Sequence, residues 1–256
     1  MAAALPLPAE ANHIPDRTAR FFKPSLCKST KPAAYQYSFE QLAANTHALL
    51  LARGIEKATV LGHSMGGMLA ARYALMFPDQ VEQLVLVNPL GLEDWRLKGV
   101  PPASVDAAYQ NELTTSFDSI KAYQRKFYYN GEWKPEYDRW VEMLAGMYAG
   151  DGKELVAWNQ ALTSDMIYTQ PVIHEFSRIR LKTLLLIGSL DRTAPGGNRA
   201  SPEVAERLGR YAELGPEAAQ IIPDAELVEF PDLGHSPQVE APDRFHQALL
   251  KGLDQH

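Results

Sequence analysis

The sequence contains a single cysteine, Cys27, among its 256 residues. One thiol cannot form an intramolecular disulfide, and cysteine-based zinc or iron–sulfur sites need several thiolates. The histidines outside the motifs described below show no metal-ligand spacing either. We therefore expect no disulfide framework and no metal centre.

Long apolar runs and blocks of like charge are also missing. The longest apolar stretches, such as residues 184–187, are far shorter than the ~20 residues that span a bilayer. The net charge of −6 is spread along the chain, and charged residues make up 22% of it, as is usual in soluble proteins. We therefore expect neither a membrane span nor nucleic acid as a partner.

The first residues lack a complete export signal. Residues 9–11, Ala-Glu-Ala, have the small-x-small form of a cleavage site. However, no positive segment precedes them, and two prolines interrupt the short apolar stretch. This favours a cytoplasmic location, with a periplasmic or secreted one as the alternative. Residues 1–36 show no helix or strand period, which predicts an irregular N-terminal segment.

Regular structure is predicted from Ser38 onward. Ser38 and Gln41 have the spacing of a capping box, and a helix should follow to about Arg53, where Gly54 supplies a left-handed stop. Four short β-prone runs come later in the chain and are separated by helical patterns. Their residues are 58–61, 84–87, 184–187 and 227–230. Continuous apolar strands alternating with helices predict a parallel sheet covered on both faces.

The segment between the second and third strands has helical patterns, no convincing strand and all four tryptophans. It predicts a helical cap, residues 91–178, over the strand ends where α/β sheets bind ligands. The core would then comprise residues 37–90 and 179–256. The aromatic residues of the cap favour an apolar or aromatic substrate, although for any one of them the alternative is that it only packs cap helices together.

A serine motif lies between the first strand and the next helix. Residues 62–66, Gly-His-Ser-Met-Gly, match G-x-S-x-G in the strand–turn–helix setting that gives this pattern its meaning. Such a turn is strained, and we expect glycine on both sides of Ser64 to remove β-carbons that would clash there. The pattern predicts Ser64 as a nucleophile and the backbone N–H of Met65 as an oxyanion donor.

A serine hydroxyl is a poor nucleophile until a histidine, itself oriented by a carboxylate, takes its proton. Where this motif is used, the acid and then the histidine follow on loops after later strands. Asp191 comes just after the third strand and His235 just after the fourth. Asp232 is the main competitor for the role of the acid. We expect His63, next to the nucleophile, to pack or to hydrogen-bond the loop.

Three segments resemble the α/β-hydrolase superfamily, particularly its capped bacterial esterase-like members. They are GHSMGGMLAARYALMFPDQVEQLVLVNPLGLEDW, LLLIGSLDRTAPG and FPDLGHSPQVEAPDRFHQALL. They are similar to the family's nucleophile, acid and histidine segments. The resemblance implies an α/β fold with a mostly parallel sheet, flanking helices and a helical cap. It also implies cofactor-free hydrolysis of an ester or similar acyl bond of a small molecule, through an acyl-serine intermediate.

The sequence departs from that family in one respect. Members normally begin with several more strands, one of which ends in a His-Gly loop that supplies a second oxyanion donor, and this chain contains no His-Gly pair. We therefore expect the N-terminal strands to be missing and the strand at residues 58–61 to be an exposed edge that invites self-association. Loss of one donor typically costs about 100- to 1,000-fold in turnover.

Two alternatives follow from this departure and from the fold. The chain could be a truncated, catalytically impaired hydrolase-fold protein that lacks a complete oxyanion hole. It could also be an acyltransferase or a cofactor-free perhydrolase of the same fold, since both use the same acyl-serine chemistry.

Overall fold

The computed structural model describes residues 35–253. Most of the predicted irregular segment, including the signal-like residues 9–11 and Cys27, lies outside this range. The strands are β1 (Ala58–His63), β2 (Val81–Val87), β3 (Thr183–Gly188) and β4 (Ala225–Phe230). The helices are α1 (Phe39–Ala52), α2 (Met65–Met76), α3 (Val105–Glu112), α4 (Phe117–Phe127), α5 (Asp138–Ala145), α6 (Lys153–Thr169), α7 (Pro202–Glu206), α8 (Tyr211–Ile221), α9 (Pro237–Glu240) and α10 (Pro242–Leu253).

The four strands form one parallel sheet in the order β1-β2-β3-β4. Each predicted strand is present, and the predicted α/β class with a parallel sheet is confirmed. Because neighbouring strands run in the same direction, their carboxyl ends lie at one edge of the sheet. The loops that follow β1, β3 and β4 carry Ser64, Asp191 and His235, so all three residues are placed at that edge.

Helix α1 begins at its predicted cap. The Ser38 hydroxyl accepts a hydrogen bond from the backbone N–H of Gln41 at 3.0 Å. The Gln41 side chain donates to Asn45 instead of returning to the cap, so half of the predicted capping box forms. Gly54 has φ +65°, the left-handed conformation predicted to stop the helix.

Burial of the central strands β2 and β3 explains the apolar runs in their sequences. Every residue of β3 is buried, and in β2 only Glu82 is exposed. Successive side chains point to opposite faces, so Leu185 and Ile187 join the core under α1, α2 and α8, whereas Leu184 and Leu186 join a second core under α10. Helices therefore cover both faces of the sheet.

Between β2 and β3 the chain forms helices α3 to α6 with short 3₁₀ turns. Helix α3 packs on α6, and α4 packs on α5. The predicted helical insertion is therefore present, while its bounds as a domain, residues 91–178, stay a prediction. Across residues 35–253 no helix combines the length and the apolar character that a membrane crossing requires.

Strand β1 lies at the edge of the sheet that the described residues form, with β2 as its neighbour. Its side chains alternate between partly buried and exposed positions as far as Leu61, and Leu61 is 47% exposed. An edge strand presents backbone N–H and C=O groups to which another strand can pair. An exposed edge at β1 and self-association through it stay predictions.

We expect the protein to self-associate through β1 and the Leu61→Lys variant to be mainly monomeric, because a lysine on an edge strand opposes strand pairing. Leu97→Lys is the matched control, since Leu97 is 78% exposed in a turn after β2. Sedimentation velocity over a concentration series measures the effect. A wild-type protein that stays monomeric throughout the series would contradict the prediction.

Candidate active site

Ser64 occupies a strained turn between β1 and α2. Its φ of +56° and ψ of −127° are unusual for a residue with a β-carbon, and such a conformation costs on the order of 1–3 kcal/mol. The surrounding backbone holds it there. The Ser64 N–H donates to Val87 O at 3.2 Å, and the Ser64 carbonyl accepts from the N–H groups of Gly67 at 2.8 Å and Leu90 at 2.9 Å. Strand β2 and the loop after it thus fix the turn.

The close contacts around this turn explain two of its glycines. A β-carbon on Gly62 would lie 2.1 Å from the carbonyl oxygen of Gly66, and one on Gly67 would lie 2.3 Å from Pro89 Cβ. A β-carbon on Gly66 would meet nothing within 4 Å. The expectation that glycines on both sides of Ser64 relieve clashes is therefore correct for Gly62 and wrong for Gly66, because Gly66 contributes its backbone oxygen to the contact and faces open space.

Asp191 and His235 form a buried pair. Both side chains are 0% exposed, and Asp191 Oδ2 lies 2.6 Å from His235 Nδ1. Because an ionised carboxylate only accepts hydrogen bonds, Nδ1 carries the proton and the lone pair of the neutral ring is on Nε2. Asp232 instead forms two contacts with Arg244, at 2.6 and 2.8 Å, on the surface. Of the two candidate acids, Asp191 contacts the histidine.

His63 connects the Ser64 turn to this pair. Its Nε2 donates to the backbone oxygen of His235 at 2.8 Å, and the two rings lie 4.8 Å apart. His63 therefore hydrogen-bonds the loop, as expected. His235 Nε2 is buried and makes no hydrogen bond within residues 35–253, so the Ser64 hydroxyl is not bonded to it. The hydrogen bond between a nucleophile and its base is often long before substrate binds and shortens afterwards.

Asn88 supports the carboxylate and was missed by the sequence analysis. Its Nδ2 donates to Asp191 Oδ2 at 3.0 Å and to Gly188 O at 3.1 Å, while its Oδ1 accepts from Gly188 N at 2.8 Å. The N–H of Thr193 donates to Asp191 Oδ1 at 2.8 Å. A buried carboxylate needs such donors. The only sequence signal was a polar residue directly after a buried strand.

One tyrosine of the helical insertion lies beside His235, and a second packs against the first. The Tyr128 ring is 4.2 Å from the His235 ring, and Tyr123 meets Tyr128 edge-on at 5.7 Å. Tyr123 is 41% exposed, yet its surroundings raise the pKa of its hydroxyl to about 12, chiefly by burial and then through the charge of Asp191. Tyr128 therefore packs against the histidine, and Tyr123 packs on the outer side of Tyr128.

The carboxyl end of α4 holds both loops of the pair. The carbonyl of Phe127 accepts from Arg192 N at 3.2 Å, and the carbonyl of Tyr128 accepts from His235 N at 2.8 Å. The last carbonyls of a helix have no partner within the helix and are free to accept such bonds. Helix α4 therefore fixes the loops of Asp191 and His235 relative to each other.

Met65 is the first residue of α2, so its N–H has no acceptor within that helix. This N–H sits at the positive end of the helix dipole, which favours a developing negative charge. The role of Met65 as an oxyanion donor stays a prediction. Among residues 35–253, no group of three His, Cys, Asp or Glu side chains is arranged to hold a metal ion.

Comparison with known proteins identifies the family to which this chain belongs. A family model described as the alpha/beta hydrolase fold matches residues 24–242. The chain belongs to the α/β-hydrolase fold family. This confirms the resemblance seen in the sequence.

A crystal structure of a "probable hydrolytic enzyme" from Pseudomonas aeruginosa PAO1 is 63% identical, with a TM-score of 0.89, over 90% of this chain and 74% of that one. Lipase 1 of Psychrobacter immobilis is 28% identical over 84% of this chain and 62% of the lipase. A 2-hydroxy-6-oxononadienedioate/2-hydroxy-6-oxononatrienedioate hydrolase of Comamonas testosteroni is 26% identical over 78% of this chain and 64% of that enzyme. The chain thus spans less than two thirds of the length of these two curated relatives.

We expect Asn88→Ala to lower the free energy of unfolding by roughly 2–4 kcal/mol, because it leaves buried backbone groups of Gly188 without partners and puts alanine at a φ of +35°. Asn130→Ala is the control for the backbone alone, since Asn130 is exposed with a φ of +49°. It should cost about 1 kcal/mol. Urea unfolding measures both, and equal losses would mean that the Asn88 hydrogen bonds contribute nothing.

Proposed function

We propose that this chain hydrolyses an ester or a related acyl bond through an acyl-serine intermediate formed on Ser64. One observation carries the proposal. A buried Asp191–His235 pair lies in contact with His63, the residue next to Ser64, and Ser64 is in the strained conformation of an exposed nucleophile. Membership of a family whose relatives include lipases and other hydrolases supports the same reaction class.

In the proposed mechanism, Ser64 Oγ attacks the acyl carbonyl carbon while its proton passes to His235 Nε2. The carbonyl oxygen becomes an oxyanion that the N–H of Met65 stabilises. Collapse of the tetrahedral intermediate breaks the bond to the leaving group, which takes the proton from Nε2. Water then attacks the acyl-serine by the same steps, with His235 again as base, and releases the acid and the free enzyme.

Asp191 orients the histidine in this mechanism. Its hydrogen bond to Nδ1 selects the tautomer whose Nε2 can accept a proton, and its charge stabilises the imidazolium that forms. The donors on Asp191, from Asn88 and Thr193, keep the carboxylate aimed at the ring. Only interactions that strengthen as charge develops speed the reaction, and the contact between Asp191 and His235 is of this kind.

We propose a small substrate with an apolar or aromatic group. The partly exposed ring of Tyr128 lies beside the histidine that would protonate the leaving group, and the exposed ring of Tyr123 packs on Tyr128. Aromatic faces favour apolar and aromatic partners. Both hydroxyls are protonated near neutral pH, and burial raises the pKa of Tyr123 to about 12 and that of Tyr128 well above its usual value. They can therefore donate hydrogen bonds to a polar atom of the substrate.

An impaired form of the same enzyme is the second candidate. It is favoured by the sequence, which predicts one oxyanion donor, Met65, and contains no His-Gly pair, and by the place of β1 at the edge of the sheet that residues 35–253 form. An acyltransferase or a perhydrolase would use the same acyl-serine and differ only in the acceptor that attacks it. Adding an alcohol or hydrogen peroxide to the ester assay separates these reactions by their products.

We expect Ser64→Ala to abolish turnover of a short activated ester, because the attacking oxygen is removed, and to leave the fold intact, since little packing is lost. A serine-directed phosphonate should label the wild type on Ser64 and should not label the variant. Circular dichroism checks the fold. Turnover by the purified variant would refute the assignment of the nucleophile.

Asp191→Asn should reduce turnover by an amount comparable to His235→Ala or somewhat less, because the members of a triad act as a unit and their losses do not add. Asp232→Asn removes the same charge from the exposed pair with Arg244 and should leave turnover within about twofold. Steady-state kinetics of the three variants decide the acid. A larger loss in Asp232→Asn would mean that Asp191 is not the orienting residue.

A further inference from the structure

The loop that carries His235 is held by an acidic residue outside the predicted triad. The N–H of Gly234 donates to Glu240 at 2.9 Å (Oε1) and 3.1 Å (Oε2), and the N–H of Ser236 donates to Glu240 Oε1 at 3.3 Å. The N–H of His235 between them donates to Tyr128 O at 2.8 Å. One carboxylate therefore accepts from the backbone on both sides of the histidine.

The restraint on the backbone of His235 matters because its ring has few hydrogen bonds of its own. Its ring is anchored on one nitrogen, Nδ1, while Nε2 has no hydrogen bond within the described residues. The direction of Nε2 thus depends on the Nδ1 contact and on the backbone that carries the ring. A misplacement of about 1 Å in a reacting group can cost about 100-fold in rate, so the backbone restraint bears directly on proton transfer.

The Glu240 carboxyl is only partly exposed to solvent. Burial raises the pKa of its carboxyl to about 7, and the charge of Asp191 adds to this, whereas the Gly234 and Ser236 N–H groups and His235 act in the opposite direction. Tyr129 and Tyr137 also face the carboxylate. A carboxyl with a raised pKa in the folded state stabilises the fold at low pH, and that contribution is lost as the pH rises through about 7.

A carboxylate bonded to the backbone on both sides of His235 lies beside that residue, and a negative charge there would favour the imidazolium that forms as Ser64 gives up its proton.

We propose that Glu240 is a positioning residue that aims His235 Nε2 by holding the N–H groups on both sides of it, and that its negative charge stabilises the imidazolium. The inference rests on the proposed function of Ser64 and His235. Glu240 itself forms and breaks no bond in the reaction.

The test compares Glu240→Gln with Glu229→Gln, a matched control at an exposed position of β4. In Glu240→Gln, kcat should fall by about tenfold or more with KM within about twofold, and labelling by a serine-directed phosphonate should slow by the same factor. Protonation of Glu240 removes the same charge as the glutamine substitution, so the ratio of kcat/KM in the wild type to that in Glu240→Gln should shrink towards one as the pH falls below about 7. Glu229→Gln should behave as the wild type.

Backbone amide exchange tests the restraint without relying on turnover. The amides of Gly234 and Ser236 should exchange about tenfold faster in Glu240→Gln than in Glu229→Gln, since a charge-assisted acceptor is lost. Glu240→Asp, which keeps the charge but is one methylene too short, should also exchange faster and serves if the glutamine variant does not fold.

The outcomes separate the two proposals. If the wild type shows no ester turnover that depends on Ser64, the proposed function fails, and the exchange rates still decide whether Glu240 restrains the loop. If Ser64-dependent turnover is present but kcat, the pH dependence of kcat/KM and the exchange rates in Glu240→Gln match those of Glu229→Gln, Glu240 does not position His235 and the inference is overturned.

Discussion

The site depends on one hydrogen bond, between Asp191 and His235, that is formed where neither side chain is exposed to solvent. A carboxylate removed from water is stable only if donors surround it. Asn88 supplies one donor from the loop after β2, and Thr193 supplies another. These groups meet because β2, β3 and β4 are adjacent and parallel, which puts the loops after their carboxyl ends side by side.

The same edge of the sheet also concentrates unfavourable features. Ser64 has a strained backbone, His235 Nε2 is buried without a hydrogen-bond partner among residues 35–253, and Glu240 keeps a carboxyl whose pKa burial raises to about 7. Each costs free energy that the buried strands and their covering helices offset. Strain and unpaired groups of this kind persist where the surrounding structure holds them in place, and they cluster at functional sites. Here they lie around the atoms that would move a proton.

Much of the frame was predictable because local patterns and tertiary structure agree in it. Helix α1 begins and ends at its predicted signals, and the four apolar runs became the four strands. The G-x-S-x-G motif located the strained turn. In the turn that gives Ser64 its positive φ, a β-carbon at position 62 would clash with the carbonyl oxygen of Gly66, so glycine is required there. The need for glycine at Gly66 was misjudged, since a sequence pattern does not show which side of a turn is open.

The sequence by itself determined the class of the fold, the order of its elements and the three loops that carry Ser64, Asp191 and His235, because those depend on periodicity, turn chemistry and spacing along the chain. Only the tertiary structure decided that Asp191 and not Asp232 meets the histidine, that Asn88 donates to the carboxylate, and that Glu240 holds the histidine loop. The reason is physical. Hydrogen bonds between loops depend on distances across the edge of the sheet. Residues that meet there, such as Asn88 and Asp191, are far apart in the sequence, so spacing along the chain does not reveal the contact.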